Sequence, residues 1–294
     1  MVIFSDLHAH TFTELSDNRL GILINTLDAI LHEAHLGKNP VLFCGDLAHK
    51  HGYVPTVVLW ELIKVFKKYS SVQVYAISGN HDQIAKSYLD APVESLITVL
   101  DNILPNFHSL DFEVKLVGGY NVFGVPYFQK GEDFTKYLTD IQPFIDKSQK
   151  NILLAHQTPT KLFNPFIPAQ IDIDSDLLAP FDFVFLGHIH KFQYFGNGRY
   201  MVGNPLIQDD SDIGDQKGYL TLENGVVTRH ILKTPLDDLA IKSVAAKKAL
   251  VVKESKESPI DVRFYSDSIH DKYNAFCSAN NFTKERTELG LNFL

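Results

Sequence analysis

Five apolar runs in this chain are each followed by side chains that bind cations. Asp6 and His8 follow 2–4, Gly45-Asp46 follows 41–44, and Gly79-Asn80-His81-Asp82 follows 72–77. His156 follows 152–155, and Gly187-His188-Ile189-His190 follows 183–186. Carboxylate, amide and imidazole donors in this mix suit octahedral divalent cations such as Mn²⁺ or Fe²⁺, whereas a cysteine-rich set would point to structural zinc. Glycines before Asp46, Asn80 and His188 let the backbone turn sharply and aim the next side chain. Each piece alone is ordinary, since Gly-Asp is a common turn and residues two apart share a strand face without any metal. Their joint occurrence, in this order and each at the end of an apolar run, points to one site.

Such side chains meet only if the runs are strands whose carboxyl ends lie side by side, as in an open α/β sheet. Strands are expected over 2–4, 41–44, 72–77, 121–125, 152–155, 183–186, 192–195 and 200–202, with helices over 19–35, 55–69, 84–104, 133–147 and 174–178. Short apolar runs alternating with longer amphipathic stretches indicate a layered α/β fold, central β-sheets flanked by helices. The runs 218–222 and 226–232 flank Glu223-Asn224-Gly225, a hairpin signal. The main domain is therefore expected over 1–233. The remainder, 234–294, reads as a lysine-rich linker followed by a small strand–helix cap, with its strand at 260–265 and its helix near 271–279.

The 294 residues, 45% hydrophobic, suffice for a large core plus such an appendage. A formal charge of -8 argues against a protein coated in basic surface, although bound cations would reverse the local sign at a site. Cys44 and Cys277 lie too far apart in sequence to indicate a disulfide framework. No apolar run reaches about eighteen residues, and Met1-Val2-Ile3-Phe4-Ser5-Asp6 lacks the basic start of a signal peptide, so the expected location is the cytoplasm with no membrane attachment.

The set Asp6-X-His8, Gly45-Asp46, Gly79-Asn80-His81-Asp82, His156 and Gly187-His188-X-His190 resembles the calcineurin-like metallophosphoesterase superfamily. Within it the chain is most similar to SbcD-type nucleases, which process DNA ends in repair and recombination. Asp46-Leu47-Ala48-His49 resembles the Asp-X-X-His of their second motif, and Gly124-Val125-Pro126-Tyr127 resembles their Gly-Leu-Pro-Tyr segment. Gly203-Asn204-Pro205 is similar to their Gly-Ser-Pro, with Asn204 in place of serine, and Gln216-Lys217-Gly218-Tyr219 to their Lys-Gly-Phe segment. Asp261-Val262-Arg263-Phe264 resembles their cap strand.

The resemblance implies two divalent cations, Mn²⁺ first and Fe²⁺ or Mg²⁺ as alternatives. Asp6, His8 and His190 would hold one, Asn80, His156 and His188 the other, and Asp46 would bridge both. Two such ions, roughly 3.5–4 Å apart, bind phosphate oxygens and lower the pKa of a shared water, the nucleophile. His81, left over from the ligand set, would stabilise charge or protonate the leaving oxygen, with a surface histidine as the alternative. Asp82 would orient His81 or, the favoured reading, cap a helix from Gln83 onward. His49 would position the phosphate, or lie solvated within His49-Lys50-His51.

The implied activity is hydrolysis of DNA phosphodiesters, by exonuclease or endonuclease action, in repair, recombination or replication. A phosphoesterase for a small molecule or phosphoprotein is the alternative. A non-enzymatic interaction protein on this fold would be expected to have lost ligands, and here every one is present. Implied partners are DNA, an SbcC-type SMC-like ATPase and a second copy of the chain. Lys242, Lys247, Lys248, Lys253 and Lys256 would contact phosphates or form a solvated linker. The helix over 55–69 carries two apolar stripes, Leu59, Ile63 and Phe66 beside Val58, Leu62, Val65 and Tyr69, one of them available for a dimer partner. Only Thr283 to Leu294 follow the cap where the nucleases usually carry an ATPase-gripping segment, a length similar to compact bacteriophage-encoded members, for which the location is the host cytoplasm.

Overall fold

Val2, Phe4, Val41 and Phe43 pack into one hydrophobic layer while Ile3, Leu42 and Cys44, the alternate residues of the same strands, pack into another. Strands buried on both faces are the mark of a sheet covered on both sides. In the computed structural model, which describes residues 1–13, 16–84, 94–158 and 175–237, the covers are a helical layer on one side and a second sheet on the other. The described residues fall within the compact unit Met1–Ser243, whereas the second unit, Val244–Leu294, lies outside them. The expected cap strand and helix, the linker lysines and Cys277 therefore lie outside the described residues.

The chain order is β1 (Val2–Phe4), α1 (Arg19–Leu36), β2 (Val41–Phe43), α2 (Thr56–Lys68), β3 (Val74–Ala76), α3 (Leu96–Ile103), β4 (Phe107–Ser109), β5 (Val114–Val117) and β6 (Tyr120–Val125). There follow α4 (Gly131–Ile141), β7 (Asn151–His156), α5 (Ser175–Leu178), β8 (Phe183–Gly187), β9 (Gln193–Tyr194), β10 (Arg199–Met201), β11 (Gly218–Glu223) and β12 (Val226–Ile231). They form two six-stranded sheets, ordered β12-β11-β1-β2-β3-β4 and β5-β6-β7-β8-β10-β9. Strands β1 to β4 run parallel, as do β6, β7, β8 and β10, and the outer pairs are antiparallel. Helices α1, α2 and α3 cover the first sheet through Leu27, Leu31, Leu62, Phe66 and Leu100, and α4 covers the second through Phe134 and Leu138. The result is a layered α/β fold of two sheets flanked by helices.

Three expectations need correction. Of the helix expected over 84–104, residues 85–93 lie outside the described residues, Ile84, Glu94 and Ser95 are not helical, and Leu96–Ile103 is a helix of its own, opened by a reciprocal capping box between Ser95 and Thr98. The helix expected over 133–147 runs Gly131–Ile141 and then tightens into a 3-10 turn, Gln142–Phe144, because Pro143 cannot donate the next helical hydrogen bond. On α2, both stripes pack within the chain: Val58, Leu62, Val65 and Phe66 are buried, and Leu59 and Ile63 lean on the same core. Its exposed apolar residues are instead Val57, 49% exposed, and Trp60, 59% exposed. Among the described residues no helix is long and apolar enough to cross a membrane.

Candidate metal centre

The carboxyl ends of β1, β2 and β3 in one sheet and of β7 and β8 in the other supply the candidate donors. The loops after β1 and β2 are laced by backbone hydrogen bonds, Asp6 N to Gly45 O at 2.9 Å, His8 N to Asp46 O at 3.0 Å and Ala9 N to Leu47 O at 2.8 Å. That lacing is reached only with left-handed backbone at Asp6 (φ 54°), His8 (φ 50°) and Asp46 (φ 61°), a region that costs a residue with a Cβ roughly 1–2 kcal/mol. His188 is also left-handed, at φ 90°. Gly79 is required for close approach, since a Cβ there would strike the Asp46 carboxylate.

All seven expected ligands meet, in two groups. Asp6, His8 and His190 offer one set of donor atoms within 4.8 Å of one another, and Asp46, His156 and His188 another. Within the first, His8 Nε2 lies 3.0 Å from His190 Nε2 and 3.8 Å from Asp6 Oδ1. Both Asp6 oxygens accept from the His188 backbone N–H at 3.2 Å, which ties the groups together. Within the second, Asn80 Oδ1 lies 3.2 Å from His156 Nε2 and 3.0 Å from His188 Nδ1. Asp46 stands between them, its Oδ2 3.3 Å from His156 Nε2 and 3.6 Å from His8 Nε2.

The donor chemistry fits a cation. The Cys44 carbonyl can only accept, so the 2.7 Å contact to His156 Nδ1 fixes the proton on Nδ1 and turns the Nε2 lone pair toward the oxygens of Asp46 and Asn80. Lone pairs facing lone pairs in a buried space repel unless a positive charge sits among them. In the metal-free chain a proton on His156 Nε2 supplies that charge, and a bound cation would replace it. Burial opposes charge on His156, yet the Asp46 carboxylate raises it to about 9, while burial and then His156 hold His188 down at about 3. Burial also lowers His8 well below the ordinary histidine value and raises Asp6. Burial alone would raise Asp46, but His156 and then His8 and His81 hold it well below the usual carboxylate range.

His81 lies outside both groups, but with His49 and His8 it forms a third set of donor atoms within 4.8 Å of one another. Its backbone N–H donates to Asp46 Oδ1 at 2.8 Å, its Nδ1 contacts the His49 carbonyl, and its ring centre is 4.8 Å from that of His8. His49 places its ring edge-on to His8 at 5.3 Å. The helix expected to follow Asp82 as its cap does not open at Gln83, which forms a bridge with Ser95, and residues 85–93 lie outside the described residues. The Asp82 carboxylate accepts from the backbone N–H of Asp46, Leu47, Ala48 and Gly79, at 2.8, 2.9, 3.2 and 3.0 Å, clamping the Asp46 loop onto the Asn80 loop. Burial, with the Asp46 carboxylate adding, pushes Asp82 up to about 7 against the pull of those backbone donors.

Other residues enter that sequence reasoning left without a role. The Tyr127 ring lies 5.5 Å from that of His188 and 6.2 Å from that of His156. His51 stacks on His81 at 4.2 Å and contacts the Asn80 carbonyl at 2.6 Å. Asp212, with Asn204 and Lys217, packs behind His190. Of these, Tyr127, Asn204 and Lys217 fell within segments similar to the nucleases; Asp212 and His51 carried no signal.

The calcineurin-like phosphoesterase family profile matches residues 1–192. Over 201 residues the chain is 26% identical to the DNA double-strand break repair protein Mre11 of Methanocaldococcus jannaschii, covering 61% of this chain and 51% of that protein. The chain thus spans about half the length of this curated relative. Among solved structures, it is similar to a protein from Thermus thermophilus, with TM-score 0.49 and 12% identity over 79% of this chain and 98% of that one. It is also similar to a dimetal phosphatase from Danio rerio, with TM-score 0.48 and 9% identity over 74% and 90%.

Proposed function

The chain belongs to the calcineurin-like phosphoesterase family and is a metal-dependent phosphoesterase, and from that premise we propose that it uses two divalent cations to cleave phosphodiesters of DNA. The observation that carries the reading is the position of Asp46 between two donor groups, with His81 held beside it. Asp6, His8 and His190 would hold one ion, Asn80, His156 and His188 the other, and Asp46 both, with Mn²⁺ the first candidate. When bound, such ions draw in phosphoryl oxygens and lower the pKa of a bound water. His81 would hold or deliver a proton at the leaving oxygen, with its backbone anchored to Asp46. His49 supports His81 through its carbonyl, and its ring, edge-on to His8, would help position the phosphate. Asp82 acts indirectly, by fixing the backbone that carries Asp46.

DNA is favoured over a small phosphoester by the 26% identity to a DNA double-strand break repair protein. An SbcC-type ATPase partner, pairing of two copies through the side of α2 that exposes Val57 and Trp60, and a cytoplasmic location belong to the same proposal. The test compares linear duplex DNA, single-stranded DNA and bis-p-nitrophenyl phosphate, each with and without Mn²⁺. Mn²⁺-dependent cleavage of DNA, weakened by added salt as phosphate contacts require, is the expected result. Cleavage of the small ester alone, even with the cognate ATPase present, would leave a general phosphoesterase.

A further inference from the structure

The segment between β10 and β11 buries a carboxylate to which the proposed reaction gives no part. Asp212 is 3% exposed, and its partner Lys217 2%. Asp212 Oδ1 accepts from Lys217 Nζ at 2.7 Å, and Oδ2 accepts from Asn204 Nδ2 at 2.9 Å and from the Gln208 backbone N–H at 2.8 Å. The same segment grips His190, whose carbonyl accepts from the Asn204 backbone N–H at 3.1 Å and from Lys217 Nζ at 3.2 Å. Gln208 Nε2 reaches across to the carbonyl of Leu7, between Asp6 and His8, at 2.8 Å. A single loop thus braces His190 and the Leu7 peptide that links Asp6 to His8.

His190 stands with Nδ1 3.8 Å from Asp212 Oδ2 and Nε2 3.0 Å from His8 Nε2. At 3.8 Å the carboxylate makes no hydrogen bond to the ring and Lys217 offsets part of its charge, so it acts through space: a carboxylate oxygen on the Nδ1 side favours the proton there and leaves the lone pair on Nε2, the atom facing His8. A buried ion pair contributes little net stability, because desolvation offsets the attraction. Stability alone is therefore a poor account of three groups converging on one carboxylate behind a histidine.

We propose that Asp212, fixed by Lys217 and Asn204, is a positioning residue that holds His190 in the tautomer with its Nε2 lone pair turned toward the cation it shares with Asp6 and His8. The proposal rests on the reading of His190 as a metal ligand. Its test is calorimetric titration of the full chain with Mn²⁺, comparing wild type with the double substitution Asp212→Asn and Lys217→Met, which removes the charge without stranding a buried lysine. Wild type should take up two ions. The double variant, unfolding like wild type when metal-free, should keep one affinity and bind the second ion about 10–100-fold more weakly. Two ions at wild-type affinities in the variant would overturn the positioning role alone, whereas no Mn²⁺ uptake by wild type would overturn the metal reading beneath it. If the variant does not fold, nitrogen NMR of ring-labelled, metal-free wild type decides, with His190 assigned from a His190→Gln spectrum. The Nδ1–H tautomer at alkaline pH supports the proposal and the Nε2–H tautomer overturns it.

Discussion

Asp82 and Asp212 are both buried carboxylates set behind candidate ligands, yet they are satisfied in opposite ways. Asp82 takes four backbone N–H groups from the loops that carry Asp46 and Asn80. Asp212 takes two of its three hydrogen bonds from side chains, Lys217 and Asn204. Backbone donors come with the chain whatever the side chains are, so the half of the centre around Asp46 depends on one residue and on the path of its loops. The half around His190 depends on several residues brought together only by the closed fold. The halves should therefore fail differently.

The largest effect should come where the halves meet. Asp46→Asn is expected to weaken both sites and cut turnover by about 10³-fold or more, since metal-ion catalysis contributes several kcal/mol to the barrier. Metal analysis that finds two retained ions and a normal rate would break the bridging assignment. His81→Ser removes none of the seven assigned ligands, although the ring lies beside His8, so metal content should hold while the rate falls by about 10²-fold. If the ions left with the imidazole, His81 would have to be counted a ligand.

Asp82→Asn probes the backbone-held half. It should weaken one Mn²⁺ site by about 10–100-fold and destabilise the metal-free chain, because an amide cannot accept all four N–H groups. A variant with both affinities intact would show that the loops keep their course unaided. Against Asp212, it also asks whether each carboxylate serves its own half.

The smallest effect concerns Asp111, whose carboxylate accepts from the backbone N–H of Ser78 at 2.8 Å, just before the Asn80 loop. Burial raises it to about 6, against the pull of its Ser78 hydrogen bonds. The unfolded value is about 3.9, so the folded chain holds this proton more tightly than the unfolded chain does. The stability it contributes is full below about pH 4 and is lost, on the order of 3 kcal/mol, as pH rises through about 6. Denaturant unfolding across this range should show the slope in wild type and a flatter profile in Asp111→Asn. Equal slopes would mean that Asp111 ionises as readily folded as unfolded.

What could be read from the sequence was what is local. The ends of β1, β2, β3, β7 and β8 announce themselves because donors, at three of them with a glycine just before, sit at the close of apolar runs, and the seven donors so placed do converge. Strand β5 was missed because its alternation runs the wrong way, with Val114 and Leu116 facing out at 51% and 71% exposure. Phe107-His108-Ser109 is too short to signal a strand and is one only because β3 pairs with it. Asp82 looks like a helix cap by type and place, and only the fold shows its carboxylate turned back to the Asp46 loop. Asp212 has no signal at all, since Asn204, Gln208 and Lys217 become its neighbours only when β10 and β11 take their places in different sheets.

The left-handed backbone at Asp6, His8, Asp46 and His188 sets up a conflict of selection. At each of these positions glycine would relieve strain of roughly 1–2 kcal/mol, but at 46 it would also remove the carboxylate that pairs with His156 in the metal-free chain, whereas burial opposes charge on Asp6, His8 and His188. A library of variants screened for heat resistance alone, without metal and with no demand for turnover, should therefore drift toward glycine at 6, 8 and 188 before 46. The hardiest survivors would be those that had given up the centre.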